Sequence, residues 1–184
     1  AGHFLRECAD LLRSLKEVDV FVTEAGYQVL RSYGLLRTIQ EAARRFYRDD
    51  RNGNRAVGRL YTSIYRLVVI APATSNSVAK MACGISDTVV TNLFAHAGKC
   101  RIPLVVLPTD TTGEVVSEAP GRRRVVAFPR PIDLENAERL SSWPGVTVVR
   151  STEELGDRLR AWVRDSGRAG SGVEDVRLRY RRAG

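Results

Sequence analysis

Apolar and polar positions follow two different periods along this chain, and each change of period marks an element. Over residues 4–16, "FLRECADLLRSLK", the side chains of Leu5, Cys8, Leu11, Leu12 and Leu15 fall on one stripe, which predicts an amphipathic helix. "VDVFVT" (18–23) is short and β-branched and predicts a strand. "EAGYQVLRSYGLLRTIQEAARRFY" (24–47) returns to helical spacing as one or two helices, with Gly34 as the break, and "RDDRNGNRAVGR" (48–59) is polar and glycine-containing, the composition of a loop. "RLVVIA" (66–71) and "IPLVVLP" (102–108) are apolar on both faces, as strands of a parallel sheet covered on two sides are. "RRVVAF" (123–128) and "VTVVR" (146–150) predict two further strands, and helical patterns fill 75–98, 133–142 and 152–165.

Strands alternating with helices imply βαβ units joined by right-handed crossovers, hence a doubly wound α/β domain built on a parallel sheet. The expected domain is 1–165. "SGRAGSGVED" begins a stretch of linker composition, so 166–184 is expected to form a basic C-terminal tail. At the other end, "AGHFLREC" is a glycine loop opening directly into a helix. In a doubly wound fold such a loop follows the central first strand, so a strand is expected to precede Ala1 in the natural protein.

A chain of 184 residues that is 43% hydrophobic can bury one proper core. It has no apolar run of membrane-spanning length and does not open on a charged-then-apolar leader, so neither a membrane span nor a signal peptide is expected. Cys8, Cys83 and Cys100 form an odd set without metal spacing, which fits a reducing cytoplasm and argues against structural zinc or an iron–sulfur cluster. The net charge is +8, carried by arginine runs ("ARRFYR", "GRRR", "RLRYRRAG") against only three lysines, Lys16, Lys80 and Lys99. A positive field steers acidic partners, although an arginine-rich composition or a heat-adapted surface accounts for the runs equally. Aromatic residues are not interleaved with the arginines as stacking on single strands requires, so nucleic acid is not the expected partner.

Ligands of open α/β sheets sit at the carboxyl ends of the strands, and three such ends gather small or polar residues here. They are Ala1-Gly2-His3, then Thr23-Glu24-Ala25-Gly26, then Pro72 to Ser77. A helix N-terminus presents unpaired N–H groups and a partial positive charge, which suits a phosphate, and the hydroxyls of Thr23, Thr74, Ser75 and Ser77 add donors. Any one of these is as readily an ordinary helix cap; three at one sheet edge favour a phosphorylated cofactor. Asn76 reads as the cap of a helix beginning at Ser77, and Asp87 as the cap of a second helix after Gly84. Caps alone leave the small, hydroxyl-rich approach "PATS" unexplained, and it leaves room for a flat ring above a strand end.

These residues carry a resemblance. Pro72-Ala73-Thr74-Ser75-Asn76-Ser77 is similar to the Pro-Ala-Ser-Ala-Asn-Thr motif of the FMN-binding flavoproteins, the family of cysteine decarboxylases, flavin prenyltransferases, archaeal flavoproteins and dihydromethanopterin reductases. "VAKMACGISDTVVTN" resembles its "AKIAxGIADxLLTN" continuation. "GHFLRE", "VTEAGYQVLRSYGL" and "RPIDLENAERLSSWPGVTVVRSTEEL" resemble segments of the archaeoflavoprotein and dihydromethanopterin reductase branch, with Thr23 where a serine is usual, and the similarity covers most of 1–162. The resemblance implies a flavodoxin-like, Rossmann-like three-layer sandwich that binds FMN. It places the phosphate against Gly2, His3 and Thr23, and the ribityl chain and ring against Ala73, Thr74, Ser75, Asn76 and Ser77, with Asp87 and Thr88 in support. It further implies a homo-oligomer based on trimers, a reduced carrier such as ferredoxin as electron donor, and a pterin-like acceptor.

Departures from the family narrow the chemistry. The decarboxylases carry an active-site histidine and a Pro-x-Met-Asn-x-x-Met-Trp substrate motif. This chain has only His3 and His96, its one methionine is Met81, and the corresponding segment reads "LPTDTTGEVV". A decarboxylase or prenyltransferase therefore stands behind an oxidoreductase, and a non-catalytic FMN-carrying module is the third reading. His96 reads as a surface or packing residue, and Cys83, set between Ala82 and Gly84, as a small buried side chain.

Overall fold

The computed structural model describes residues 2–62, 64–109, 111, 115–119 and 123–168. Ala1, most of the turn "DTTGE" and tail residues 169–184, on which parts of the sequence reading fall, lie outside the described residues. The chain opens with α1 (Gly2–Ser14), β1 (Asp19–Val22), α2 (Glu24–Ser32) and α3 (Leu36–Ala42). Gly34 is the expected break, at φ 69°, a left-handed conformation that glycine adopts without a Cβ penalty.

Two expectations fail in the next segment. "RFYR" is not the end of a helix but a strand, β2 (Arg45–Arg48), parallel to β1 with Val22 opposite Arg48. The supposed loop at 48–59 holds a helix, α4 (Arg51–Val57), and leads into a 3-10 turn over Gly58–Thr62. Asp50 caps α4, its Oδ1 accepting from the amides of Asn52 and Gly53.

The second half holds β3 (Val68–Ala73), α5 (Ser75–Ala82), α6 (Val89–Lys99) and β4 (Leu104–Pro108), then β5 (Val115–Ala119), β6 (Arg123–Ala127), α7 (Pro131–Ser141), β7 (Val146–Val148) and α8 (Thr152–Arg168). α8 thus runs past residue 165. β3, β4 and β7 form a parallel group in the order β3-β4-β7. The strand expected at 123–128 is no member of it. β6 pairs antiparallel with β5 in a separate two-stranded ribbon, Val115 opposite Ala127 and Ala119 opposite Arg123. A short connection can join two antiparallel strands, whereas a parallel return needs a crossover.

The sheet has helices on both faces. Leu104, Val106 and Ile70 pack with Val78, Met81, Val89, Phe94, Ala97 and Leu140 of α5, α6 and α7. Val105 and Leu107 point the other way, into a cluster with Leu155 and Leu159 of α8 and with Phe4, Cys8 and Leu11 of α1. This is period-two alternation between two buried faces. The opposite side of α1, with Leu5, Ala9 and Leu12, meets Val20, Val22, Leu30 and Ile39. α1 therefore packs against both strand groups.

β1-β2 and β3-β4-β7 are not hydrogen-bonded to each other among the described residues. Side chains join them. Tyr65, ahead of β3, donates to Asp19 Oδ2 at the start of β1 (2.6 Å), and Asp49, past the end of β2, accepts from the amide of Val89 at the start of α6 (3.1 Å). These two contacts set both groups in the same direction, with a shared carboxyl edge. Val69 in β3 is 37% exposed, against the expectation of a strand covered on both faces. It lies on a strand whose second edge has no ladder partner among the described residues. Among those residues no helix is long and apolar enough to cross a membrane.

Candidate functional site

The carboxyl edge of the parallel strands is lined by helix starts. After β1, Thr23 is the N-cap of α2, its Oγ1 accepting from the amide of Gly26 at 3.0 Å. A Cβ at Gly26 would stand 3.1 Å from both that oxygen and Val22 Cγ1, so glycine is what lets the cap close this tightly. Within the last half of β3, the Ala71–Pro72 peptide is cis, and the ladder with β4 shifts register between Ile70 and Ala73. Ala73 is 2% exposed opposite Pro108, and its carbonyl accepts from the amide of Thr109. The chain then turns into α5.

The cap of α5 is Thr74, not Asn76. Thr74 Oγ1 accepts from the amide of Ser77 at 3.4 Å and lies 3.3 Å from Ser77 Oγ. Ser75 begins the helix, and Asn76 is its exposed second residue. Asp87 caps nothing either. Thr88 is the N-cap of α6, in a reciprocal pair with Thr91. Asp87 instead accepts from Lys80 Nζ at 2.7 Å, a bond that holds its carboxyl below the usual carboxylate range and ties α5 to the approach to α6.

The third loop belongs to α1. Gly2 is buried. His3 is exposed, and its Nε2 lies 2.9 Å from Glu7 Oε1, one turn along α1. Glu7 Oε2 in turn accepts from Thr152 Oγ1 at 2.6 Å. That bond fastens the first turns of α1 to the start of α8, just beyond the carboxyl end of β7, and so brings Gly2 and His3 to the same edge as Thr23 and Thr74. Neither Glu7 nor Thr152 was marked by sequence pattern.

Arg48 was also missed, because its segment did not read as a strand. As the last residue of β2 it stands beside Val22, one position before Thr23. Its guanidinium lies 3.9 Å from the ring centroid of Tyr27, and its Nη2 donates to Glu24 Oε2 at 2.7 Å. The signal available in sequence was "RFYR", two aromatics between arginines, too short to outweigh the helical run before it.

Cys83 is exposed at the C-cap of α5, correcting the expectation of burial. Cys8 is the withdrawn thiol. Burial, followed by the negative charge of Glu7, pushes its pKa up to about 12, so it stays protonated and unreactive at neutral pH. His96 is half-buried and packs edge-on against Tyr61, its Nδ1 2.7 Å from the Tyr61 hydroxyl, one of the two roles expected of it.

The donor set fits an FMN-like ligand. Thr23 and Thr74 act as caps, yet a hydroxyl that accepts from an amide still has its own proton to donate. Cap and ligand are therefore compatible roles for one residue. The starts of α1, α2 and α5 add backbone N–H groups beyond those the caps satisfy. The residues that lead from β3 into α5, Ala73, Ser75 and Ser77, all have small side chains. Among the described residues no group of three or more His, Cys, Asp or Glu side chains is placed to hold a metal ion.

Comparison with known proteins shows which family the fold belongs to. An uncharacterised protein of Methanocaldococcus jannaschii is 34% identical over 164 residues, 84% of this chain and 87% of that protein. The dihydromethanopterin reductase (acceptor) of Methanosarcina mazei is 35% identical over 133 residues, 65% of this chain but only 56% of the reductase. Among solved structures, Burkholderia xenovorans DmrB in complex with FMN, a cubic protein cage for redox transfer, superposes with a TM-score of 0.82 at 40% identity, over 91% of this chain and 92% of that one. The Flavoprotein family model matches residues 3–174, and the chain belongs to that family, with its flavodoxin-like, Rossmann-like α/β architecture.

Proposed function

We propose that this chain is an FMN-dependent oxidoreductase that takes electrons from a reduced carrier such as ferredoxin and delivers them to a pterin or a similar acceptor. The observation that carries the reading is the set of three helix starts at the carboxyl side of the two parallel strand groups, α1 at Gly2, α2 behind Thr23 and α5 behind Thr74, the last followed by small side chains. Its similarity to a dihydromethanopterin reductase and to an FMN-bound redox cage supports the direction of the chemistry. FMN supplies the electron transfer when bound, and the protein supplies binding, orientation and electrostatics.

In this reading Gly2, His3 and Thr23 take the phosphate. Ala73, Thr74, Ser75, Asn76 and Ser77 lie along the ribityl chain and ring, while Asp87 and Thr88 brace the turn behind them. No side chain has to act as nucleophile or acid, consistent with the lack of a decarboxylase-type histidine and methionine motif. The working assembly is a homo-oligomer, by likeness to the Burkholderia cage, and the family resemblance makes it trimer-based. Free thiols at Cys8, Cys83 and Cys100 fit a reducing cytoplasm. The functional domain is the expected 1–165, extended by the last turn of α8 to Arg168, with a basic tail after it.

A visible absorption spectrum of the purified protein is the first test, with a bound-flavin spectrum expected. Protein that is colourless and takes up no FMN would end both the oxidoreductase reading and its lyase rival. Anaerobic mixing with reduced ferredoxin then separates them, because bleaching of the flavin supports electron transfer and an unchanged spectrum counts against it. Asn76→Ala is expected to lower the flavin retained through purification, whereas full retention would leave Asn76 as a helix residue only.

A further inference from the structure

The residues assigned to the phosphate include no fixed positive charge. Gly2 and Thr23 are neutral, and His3, 82% exposed, points its Nε2 at the Glu7 carboxylate. Helix starts contribute only partial charges. A dianion that keeps its place in water is better held where a full cation, preferably a guanidinium with its fixed fork of donors, stands beside those N–H groups.

Arg48 is that cation by position. The parallel register puts it next to Val22, so the carboxyl ends of β1 and β2 deliver Thr23 and Arg48 to neighbouring points of the same edge. The side chain is drawn over the first turn of α2, with Tyr27 beneath it at 3.9 Å and Glu24, the first residue of α2, accepting one bond at 2.7 Å. Stacking on an aromatic face orients the guanidinium plane and leaves its edges free for in-plane hydrogen bonds. The partner does not lock it. Glu24 and Arg48 are 56% and 43% exposed, and a pair this open to water is weak. Beneath it the backbone is fixed, because Gly53 of α4 sits against the Arg48 carbonyl so closely that an added Cβ would lie 1.9 Å from it.

We propose that Arg48 is the cationic arm of the cofactor-phosphate site. Tyr27 holds its guanidinium flat, Glu24 takes one edge of the fork, and the remaining donors serve the phosphate alongside Thr23 and the start of α2. This assignment rests on the FMN reading, and its test is built to fail separately from it. The full-length chain, stripped of flavin, is titrated with FMN and with riboflavin, which has the same ring and ribityl chain and no phosphate, and quenching of flavin fluorescence reports each affinity.

Wild type is expected to prefer FMN. Arg48→Gln should weaken FMN by about tenfold to a hundredfold, as expected for loss of hydrogen bonds to a charged group, and leave riboflavin affinity unchanged. Equal losses for both flavins would make Arg48 a clamp between β2 and α2, and no loss for either would make it an ordinary surface residue; each result overturns the proposal. If Arg48→Gln does not fold, Arg48→Lys decides. It keeps the charge without the planar fork, so a reduced FMN-over-riboflavin preference supports the assignment and a wild-type preference overturns it. Wild type that binds neither flavin would remove the FMN reading itself, and the proposal with it.

Discussion

Asp19 shows how much a single side chain in a short strand can hold. Its carboxylate is fully buried, accepting from Arg44 Nε at 2.7 Å and from the Tyr65 hydroxyl at 2.6 Å, with Arg59 at 3.9 Å. Burial alone would raise its pKa, and the bonds from Arg44 and Tyr65 outweigh that, leaving it below its ordinary value. The Tyr65 hydroxyl is pushed up, by burial first and then by the same carboxylate. Because Tyr65 leads into β3 while Arg44 leads into β2, Asp19 ties together the starts of three strands. Asp19→Ala is expected to cost about 3 kcal/mol, the lower end of the range for breaking a buried pair, since both arginines keep about a third of their side chains in water. The sign with pH follows from the lowered pKa. The stabilisation is complete above the unfolded value of about 3.9 and is lost as pH falls through the lower folded value. Urea midpoints of wild type and Asp19→Asn should therefore differ at neutral pH and converge as pH falls through the lowered folded value; a gap of constant size would show that the charge is not what stabilises.

At the scale of elements, α4 is the informative case. "RNGNR" carries the residues that usually punctuate a chain, and it reads as a loop. Gly53 is instead inside a helix, because the Arg48 carbonyl occupies the place of its missing Cβ, and Asn54 Oδ1 accepts from Asn92 of α6. Gly53→Ala must push α4 off the end of β2, at an expected cost of about 3 kcal/mol despite alanine's better helix propensity. The melting temperature checks it, and an unchanged or raised value would show that α4 moves aside at no cost. The same contrast explains what was legible in the sequence. β4 is legible because "LVVLP" is buried on both faces, and β1 and β3 because short β-branched, apolar runs declare a strand without a partner. The start of α2 is legible because the Thr23 hydroxyl follows a strand end directly, whereas the cap of α5 reads as Asn76, two residues past the true cap Thr74. β2 was hidden, since "RFYR" has only two apolar positions and arginines at both ends. The run at 123–128 reads as a further strand of the parallel sheet and nothing marks β5, because strand direction and partner are decided by pairing, not composition. Arg48 and the Glu7–Thr152 bond were out of reach for a related reason, since the first depends on the register between β1 and β2, and the second joins positions 145 residues apart.

For the molecule as a whole the open question is what a net charge of +8 accomplishes. It does little for the fold, where the ion pairs found are mostly exposed and individually weak. Its physical effect is at long range. A positive field raises the encounter rate with an acidic partner and is cut off by salt, its reach falling from about 30 Å at 0.01 M to about 3 Å at 1 M. If the proposed electron donor is an acidic carrier such as ferredoxin, that field sets the association step and leaves the later transfer untouched. Stopped-flow reduction of the flavin-loaded protein should then show a second-order rate constant that falls about tenfold or more across that salt range, while the first-order rate at saturating carrier stays level. A small neutral reductant such as a reduced free flavin analogue serves as the control and should show no such slope. A salt-independent constant with ferredoxin would mean that the arginines do not steer this donor, and a constant that rises with salt would point to a cationic one. Arg48→Gln adds a further separation, because it removes one charge in a total of eight. Its effect on ferredoxin encounter should be slight even where its effect on FMN retention is large, so local anion binding and long-range steering can be read apart in the same protein.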